Sequence, residues 1–226
     1  MENKEPYNHF LSLIEDTFSR RFHYLLRQKT GQEITEFFRE TLYMPFLSGH
    51  KKTMWGSFSK ILPKFGRKIG WVPDGIPLIF FNQTVHSEIA ESSSISRGQI
   101  KAADADFQFA TELLTLFDLA DIAHRNPFFL SGGETKIVWF ITQWAKRPAF
   151  LFISNSGQSL SRYRTNQLLH FLKESDSLAE YFGFHGPTIV LGITQSESDQ
   201  YQDLLSYNKW LVRDAEILND FRSAGN

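Results

Sequence analysis

The chain has 226 residues, 24 basic against 25 acidic side chains and a formal charge of -1, with 42% hydrophobic and 22% charged residues. That composition excludes a disordered chain, and it excludes a global field that would draw nucleic acid or an anionic membrane; it fits one large domain with room for an inserted subdomain. With no Cys, disulfides, thiolate nucleophiles and cysteine metal sites are excluded as well. No run reaches the apolar length of a membrane span, and the first twenty residues are too acidic and interrupted for a signal peptide, so an intracellular protein is expected. The 22 Phe residues suit extra core, with an exposed docking surface as their other use.

From the N-terminus, Phe10, Ile14, Phe18, Phe22 and Leu26 recur every four residues, with Glu15, Asp16, Arg20 and Arg21 off that stripe. The spacing predicts an amphipathic helix whose apolar face covers the chain's own sheet. After the turn signal Lys29-Thr30-Gly31, the segment from Glu33 to Arg39 fits a helix and a strand equally. Thr41 to Leu62 then shows a short apolar segment, a turn and a helix-compatible stretch, the order a phosphate-binding loop requires. Aligned on GxxxxGK(S/T), Lys52 and Thr53 match the motif's last two positions and Gly49 matches a glycine often found within the loop. Phe46 and Lys51 stand where the two defining glycines belong. Gly49, Lys52 and Thr53 are thus the candidate nucleotide-binding residues of this chain's own site, in a loop damaged where the backbone must wrap the phosphates.

Lys68 to Val72 reads as a strand, Pro73 to Gly75 as a turn, and Ile76 to Phe81 as an apolar segment leading into a helix from about Thr84. Ser92 to Gly98 reads as a Ser-rich link, followed by a helix over Gln99 to Ile122 with Ala105, Phe109, Leu113, Leu116 and Leu119 inward. His124 has no second metal-type ligand nearby and reads as surface. Next comes Leu130-Ser131-Gly132-Gly133-Glu134. Ser131 is a good N-cap, the two glycines leave their N–H groups accessible, and Glu134 stands where a capping-box acid belongs. Ile137, Val138, Ile141, Trp144 and Ala145 then form one apolar helical face. A hydroxyl, two glycine amides and a positive helix end make an anion site; a well-capped core helix without a ligand is the bland alternative.

That pentapeptide, with the order of segments around it, resembles the signature region of ABC-type ATPases. The resemblance covers about residues 41 to 215 and needs no gap from Leu130 to Ser161. It implies an α/β, P-loop NTPase-like fold with a mostly parallel sheet and an inserted α-helical subdomain; the helical period before residue 40, where the family usually carries antiparallel strands, is a departure that makes the N-terminal segment atypical and partly helical. The division it implies is 1–40 for the N-terminal segment, 41–83 with 148–226 for the α/β core, and 84–147 for the helical subdomain carrying the signature. Independently of the resemblance, the strand Pro148 to Ile153, a helix over Arg162 to Lys173 with Leu168, Leu169 and Leu172 inward, the strand Thr188 to Thr194 and an edge strand at Lys209 to Arg213 alternate as a parallel sheet requires.

The resemblance also implies where the chemistry has been lost. The family's Q-loop glutamine is matched by Asp74, its Mg²⁺-binding Asp and water-activating Glu by Ser154 and Asn155, its D-loop Asp by Ser161 and its switch His by Gln195. Asn cannot accept a proton at neutral pH, and general-base assistance is typically worth ~10²–10⁴ in rate. No catalytic residue is therefore assigned, and Asp74, Ser154, Asn155, Ser161 and Gln195 are degenerate positions. What remains is the half-site used in trans: Ser131, Gly132, Gly133 and Glu134. The expectation is a degenerate ATP-binding subunit of an ABC transporter-like complex that does not itself hydrolyse ATP and lends its signature to a partner ATPase subunit, in a hetero- or homodimer. A transmembrane permease subunit is the further partner implied, nucleic acid is not, ATP and Mg²⁺ are the implied cofactors, and the location is cytoplasmic, peripheral to a membrane through a partner. Two readings stay open beside it: an interaction module that keeps the fold without nucleotide, and a slow ATPase using another base.

Overall fold

The computed structural model describes residues 12, 14–20, 22–29, 33–38, 69–73, 80–99, 101–154, 160–206 and 209–218. Five strands form one sheet in the order β2-β3-β4-β1-β5, where β1 is His23–Gln28, β2 Ile69–Val72, β3 Phe150–Ile153, β4 Thr188–Thr194 and β5 Trp210–Asp214. Every pairing is parallel, with Tyr24 opposite both Val190 and Leu211, and Phe150 opposite both Ile69 and Thr188. A parallel sheet is covered on both faces, which is why β3 and β4 are continuous apolar runs. Alternate residues feed two cores: Leu25, Leu151, Ile153, Ile189 and Leu191 face one, and Tyr24, Leu26, Phe150, Phe152 and Val190 the other.

The first core is roofed by helices. These are α2 (Val85–Ser96), α3 (Asp104–Leu116), α4 (Gly132–Ala145), α5 (Arg162–Tyr181) and α6 (Ser198–Leu205). The second core is closed by Ile14 and Phe18, by Ile34 and Phe37 from α1 (Glu33–Phe38), and by Ala215 and Leu218. Caps set the helix starts: Thr84, Ser131 and Ser161 each accept a bond from the backbone N–H three residues on.

The N-terminal stripe does not make one helix. Residues 14–17 are helical and Ile14 and Phe18 are buried, but β1 begins at His23 and places Leu26 in an internal strand of the sheet. Four-residue spacing cannot distinguish a helix from a strand buried on both faces. Leu25 and Leu26 are 1% and 0% exposed in opposite cores, an arrangement open to a strand flanked by β4 and β5. The ambiguous segment from Glu33 is helix α1.

Two further expectations shift. The Ser-rich stretch is no link: Ser92, Ser93 and Ser94 are buried within α2, where Ser94 Oγ donates to Glu91 O and Ser96 Oγ to Ser93 O. Back-bonding of this kind lets small hydroxyl residues stay inside a packed helix. The helix expected over Gln99 to Ile122 runs only over Asp104–Leu116, followed by a 3₁₀ turn at Ala120–Ile122. Ala105 is exposed and Leu116 is 52% exposed, because Asp106 turns inward to accept from Ala103 N–H and Arg97 and so rotates the face. In α5, Leu168 and Leu172 are buried with Phe171, and Leu169 is only partly buried.

Candidate functional site

The N-terminal turn of α4 is built as its residues predict. Ser131 has extended backbone (φ -64°, ψ 157°), and its Oγ accepts from Glu134 N–H at 3.4 Å. Glu134 Oε2 returns the contact twice, accepting from Ser131 N–H at 2.8 Å and from Ser131 Oγ–H at 2.7 Å. Arg125 lies 3.9 Å from the other carboxylate oxygen. Bonds from the Ser131 hydroxyl and amide hold the Glu134 carboxyl below its usual range against partial burial, and Arg125 and Arg164 add to the effect, so it is ionised at neutral pH. Ser131 and Gly132 are exposed, and a Cβ built on Gly132 would meet nothing within 4 Å among the described residues. Packing among the described residues therefore gives no reason for a glycine there.

Of the positions expected to be degenerate, Ser154 follows β3 and Gln195 follows β4, at the carboxyl ends of strands where α/β sheets receive ligands. Ser154, just past β3, is 0% exposed; its N–H donates to Val72 O, and its Oγ accepts from Trp71 Nε1 at 3.4 Å. Trp71 O in turn accepts from Trp139 Nε1 at 2.9 Å. The Ser154 hydroxyl is thus buried and engaged by an indole, and is a poor cation ligand. The described residues here do not fit Mg²⁺, and no group of three or more His, Asp or Glu suited to a metal occurs among the described residues. Ser161 is exposed and caps α5 through Arg164 N–H. Gln195 is exposed in the turn after β4, where Glu197 accepts from both Thr194 N–H and Thr194 Oγ–H. Asp74, Asn155, Gly49, Lys52 and Thr53 lie outside the described residues.

The structure brings forward a strand, loop and helix unit that the sequence reading passed over. It is β1, Lys29 and α1, beside the middle of the sheet. Lys29-Thr30-Gly31-Gln32-Glu33 holds no GK(S/T). Two flanking donors are met internally: Gln28 Oε1 accepts from Ile34 N–H at 3.0 Å, and Glu33 Oε1 accepts from Lys29 N–H at 2.7 Å. Gln28 is 3% exposed and lies over Gly192, where a Cβ would stand 2.1 Å from its Nε2. A cavity of about 820 Å³ opens beside it. In that cavity Arg27 forks onto Asp214 at 2.9 and 3.2 Å and Lys29 pairs with Glu216, so among the described lining residues the carboxylates Glu33, Glu36, Asp214 and Glu216 outnumber the cations Arg27 and Lys29. Such a lining repels polyphosphate. The Lys29-Thr30-Gly31 turn between apolar segments was the available signal.

Near the signature turn, Phe81, Phe128 and Phe129 are 85%, 62% and 77% exposed. Glu88 Oε2 accepts from Phe81 N–H, Asn82 N–H and Asn82 Nδ2–H, which fixes the Phe81 backbone with its ring outward. Phe128 packs edge-on to the buried Phe80.

No protein-family model matches the sequence. The chain is 33% identical over 138 residues to "Methionine import ATP-binding protein MetN" of Lactococcus lactis subsp. cremoris (strain NZ9000), a match that spans 58% of this chain and 35% of the relative. The protein of the same name from Lactococcus lactis subsp. lactis (strain IL1403) is 32% identical over the same length. Among solved structures, an ATP-binding subunit of an ABC transporter superimposes with TM-score 0.55 at 12% identity, over 87% of this chain and 75% of that one. A bacterial ABC transporter cassette solved as a dimer gives TM-score 0.55 at 16% identity, over 87% and 82%.

Proposed function

The chain is a homologue of ABC transporter ATP-binding proteins and has the fold of their cassettes, and from that premise we propose that it acts as a degenerate ATP-site subunit whose contribution is made in trans. In this reading Ser131, Gly132, Gly133 and Glu134 complete an ATP site on a catalytic partner subunit, and this chain does not hydrolyse ATP itself. Residues 84–147 are then the inserted helical subdomain, and 41–83 with 148–226 the α/β core, to which the first forty residues add β1. Phe81, Phe128 and Phe129 offer an aromatic face for a permease-type subunit, which would hold the chain on the cytoplasmic side of a membrane. ATP and Mg²⁺ enter through the partner's site; Gly49, Lys52 and Thr53 are assigned no more than phosphate attraction.

The observation that carries this reading is Gly132: a glycine that no described residue crowds, at the exposed, positive end of a long helix. Its lack of a side chain is explained by something that approaches from outside. The indole over Ser154 and the internally bonded Gln28 and Glu33 support the loss of the chain's own site.

The test uses the complex of this chain with its catalytic subunit. Ser131→Arg is expected to abolish ATP hydrolysis by that complex. Gly132→Ala is expected to leave the melting temperature unchanged or raised while lowering the rate by roughly tenfold or more, equivalent to at least ~1.4 kcal/mol of transition-state stabilisation. A wild-type rate in the complex bearing Ser131→Arg overturns the proposal.

A further inference from the structure

Side chains on the first two turns of α5 reach across to the C-terminal end of α3. Arg164 Nη1 donates to Phe117 O at 2.8 Å, to Asp118 O at 3.4 Å and to Gln167 Oε1 at 2.8 Å. Gln167 Nε2 donates to Phe117 O and to the Tyr163 hydroxyl, both at 3.0 Å, and the Tyr163 hydroxyl donates to Asp118 Oδ2 at 2.9 Å. Asp118 sits in the left-handed region with φ 48°, a conformation that is strained for a non-glycine residue and persists where surrounding bonds impose it. A cation on carbonyls at a helix C-terminus is also favoured by their partial charge. Beneath this polar layer, Phe117 of α3's C-cap and Phe140 of α4 both pack on Phe171 of α5, with ring centroids 4.7 and 5.2 Å apart. The Arg164 charge also favours the ionised form of Glu134 at the N-terminus of α4. One guanidinium thus stands where a helix carried by the sheet meets two helices of the inserted unit.

We propose that Arg164 is a positioning residue: it fixes the angle at which α2, α3 and α4, and with them the N-terminal turn of α4, stand on the sheet. Its consequence for a partner's ATP site rests on the trans reading above, whereas the joint itself lies within one chain. Phe171 supplies adhesion between the same elements but little direction, because aromatic packing tolerates sliding; a guanidinium bonded to fixed carbonyls does not.

The chain has no Cys, so a spin-label pair can be placed without background. Gln108→Cys on α3 and Gln202→Cys on α6 are both at exposed positions. The distance distribution between the labels is measured in the parent, in Arg164→Gln and in Arg164→Lys, with a thermal melt of each to confirm cooperative folding. The parent gives a single narrow distribution; Arg164→Gln broadens or displaces it, and Arg164→Lys, which keeps the charge but cannot span the same acceptors, does so to a smaller degree. A parent-like distribution in folded Arg164→Gln overturns the proposal. Should that variant not fold, a parent-like distribution in Arg164→Lys overturns it equally. Ser131→Arg, which tests the trans reading, leaves this distance unchanged, so the two ideas fail separately.

Discussion

Lys146, at the C-cap of α4, has its ammonium 5.8 Å from the centroid of the Trp139 ring, and burial pushes its pKa down to about 8 against the opposing pull of Glu88. The unfolded chain holds that proton to about pH 10.4, so between roughly pH 8 and 10 it binds more protons than the folded chain, and stability rises with pH across that window. Lys146→Met is expected to raise stability at pH 7 by roughly 1–3 kcal/mol and to flatten the alkaline rise, as read from urea midpoints at pH 7 and pH 9.5. Asp176 shows the opposite sign. His23 first, then Lys209, hold its carboxyl well below the usual carboxylate range against partial burial. Its contribution is present above about pH 4 and is lost as pH falls further, so Asp176→Asn is expected to lower the melting temperature at pH 7 and to lessen its drop on acidification. Gly192 makes a steric point. A methyl there would stand 2.1 Å from Gln28 Nε2 and 2.9 Å from Ile34 Cδ1, so Gly192→Ala is expected to cost about 1–3 kcal/mol in chemical denaturation.

Legibility at the scale of elements followed the physics of each signal. The start of α4 was readable because a capping box is local: Ser131 and Glu134 satisfy each other whatever surrounds them. β3 and β4 were readable because strands buried on both faces are apolar without interruption. β1 was not, because Tyr24-Leu25-Leu26 falls within a four-residue stripe whose Ile14 does sit in a helical turn, and only its neighbours β4 and β5 decide the matter. The inward face of α3 was misjudged by one residue because Asp106, a buried cap, occupies a place that apolar periodicity reserves for a hydrocarbon.

At the scale of the whole molecule, the parallel sheet and its layers followed from alternating strands and helices, and the fold comparisons agree with that expectation. The candidate site was legible only where it is contiguous in sequence. The signature turn is five adjacent residues. The closure of Ser154 by Trp71 spans 83 positions, and the joint between Arg164 and Phe117 spans 47, so neither leaves a periodic trace. Such contacts depend on how β2, α3 and α5 are stacked, which is a property of the assembled layers.

The place of β1 in the sheet has a consequence for how the protein is made. Its partners are residues 190–194 on one side and 210–214 on the other, so a strand near the start of the chain waits for pairing segments near residue 200. At about 5–20 residues per second, that wait during synthesis is on the order of ten seconds or more. For that interval Tyr24, Leu25 and Leu26 form an apolar strand with neither lateral partner, the kind of edge that other nascent chains can extend. A chain terminated before residue 188 never gains those partners, and is expected to accumulate as aggregate or chaperone-bound material rather than as a folded fragment, whatever the quality of its helical layer.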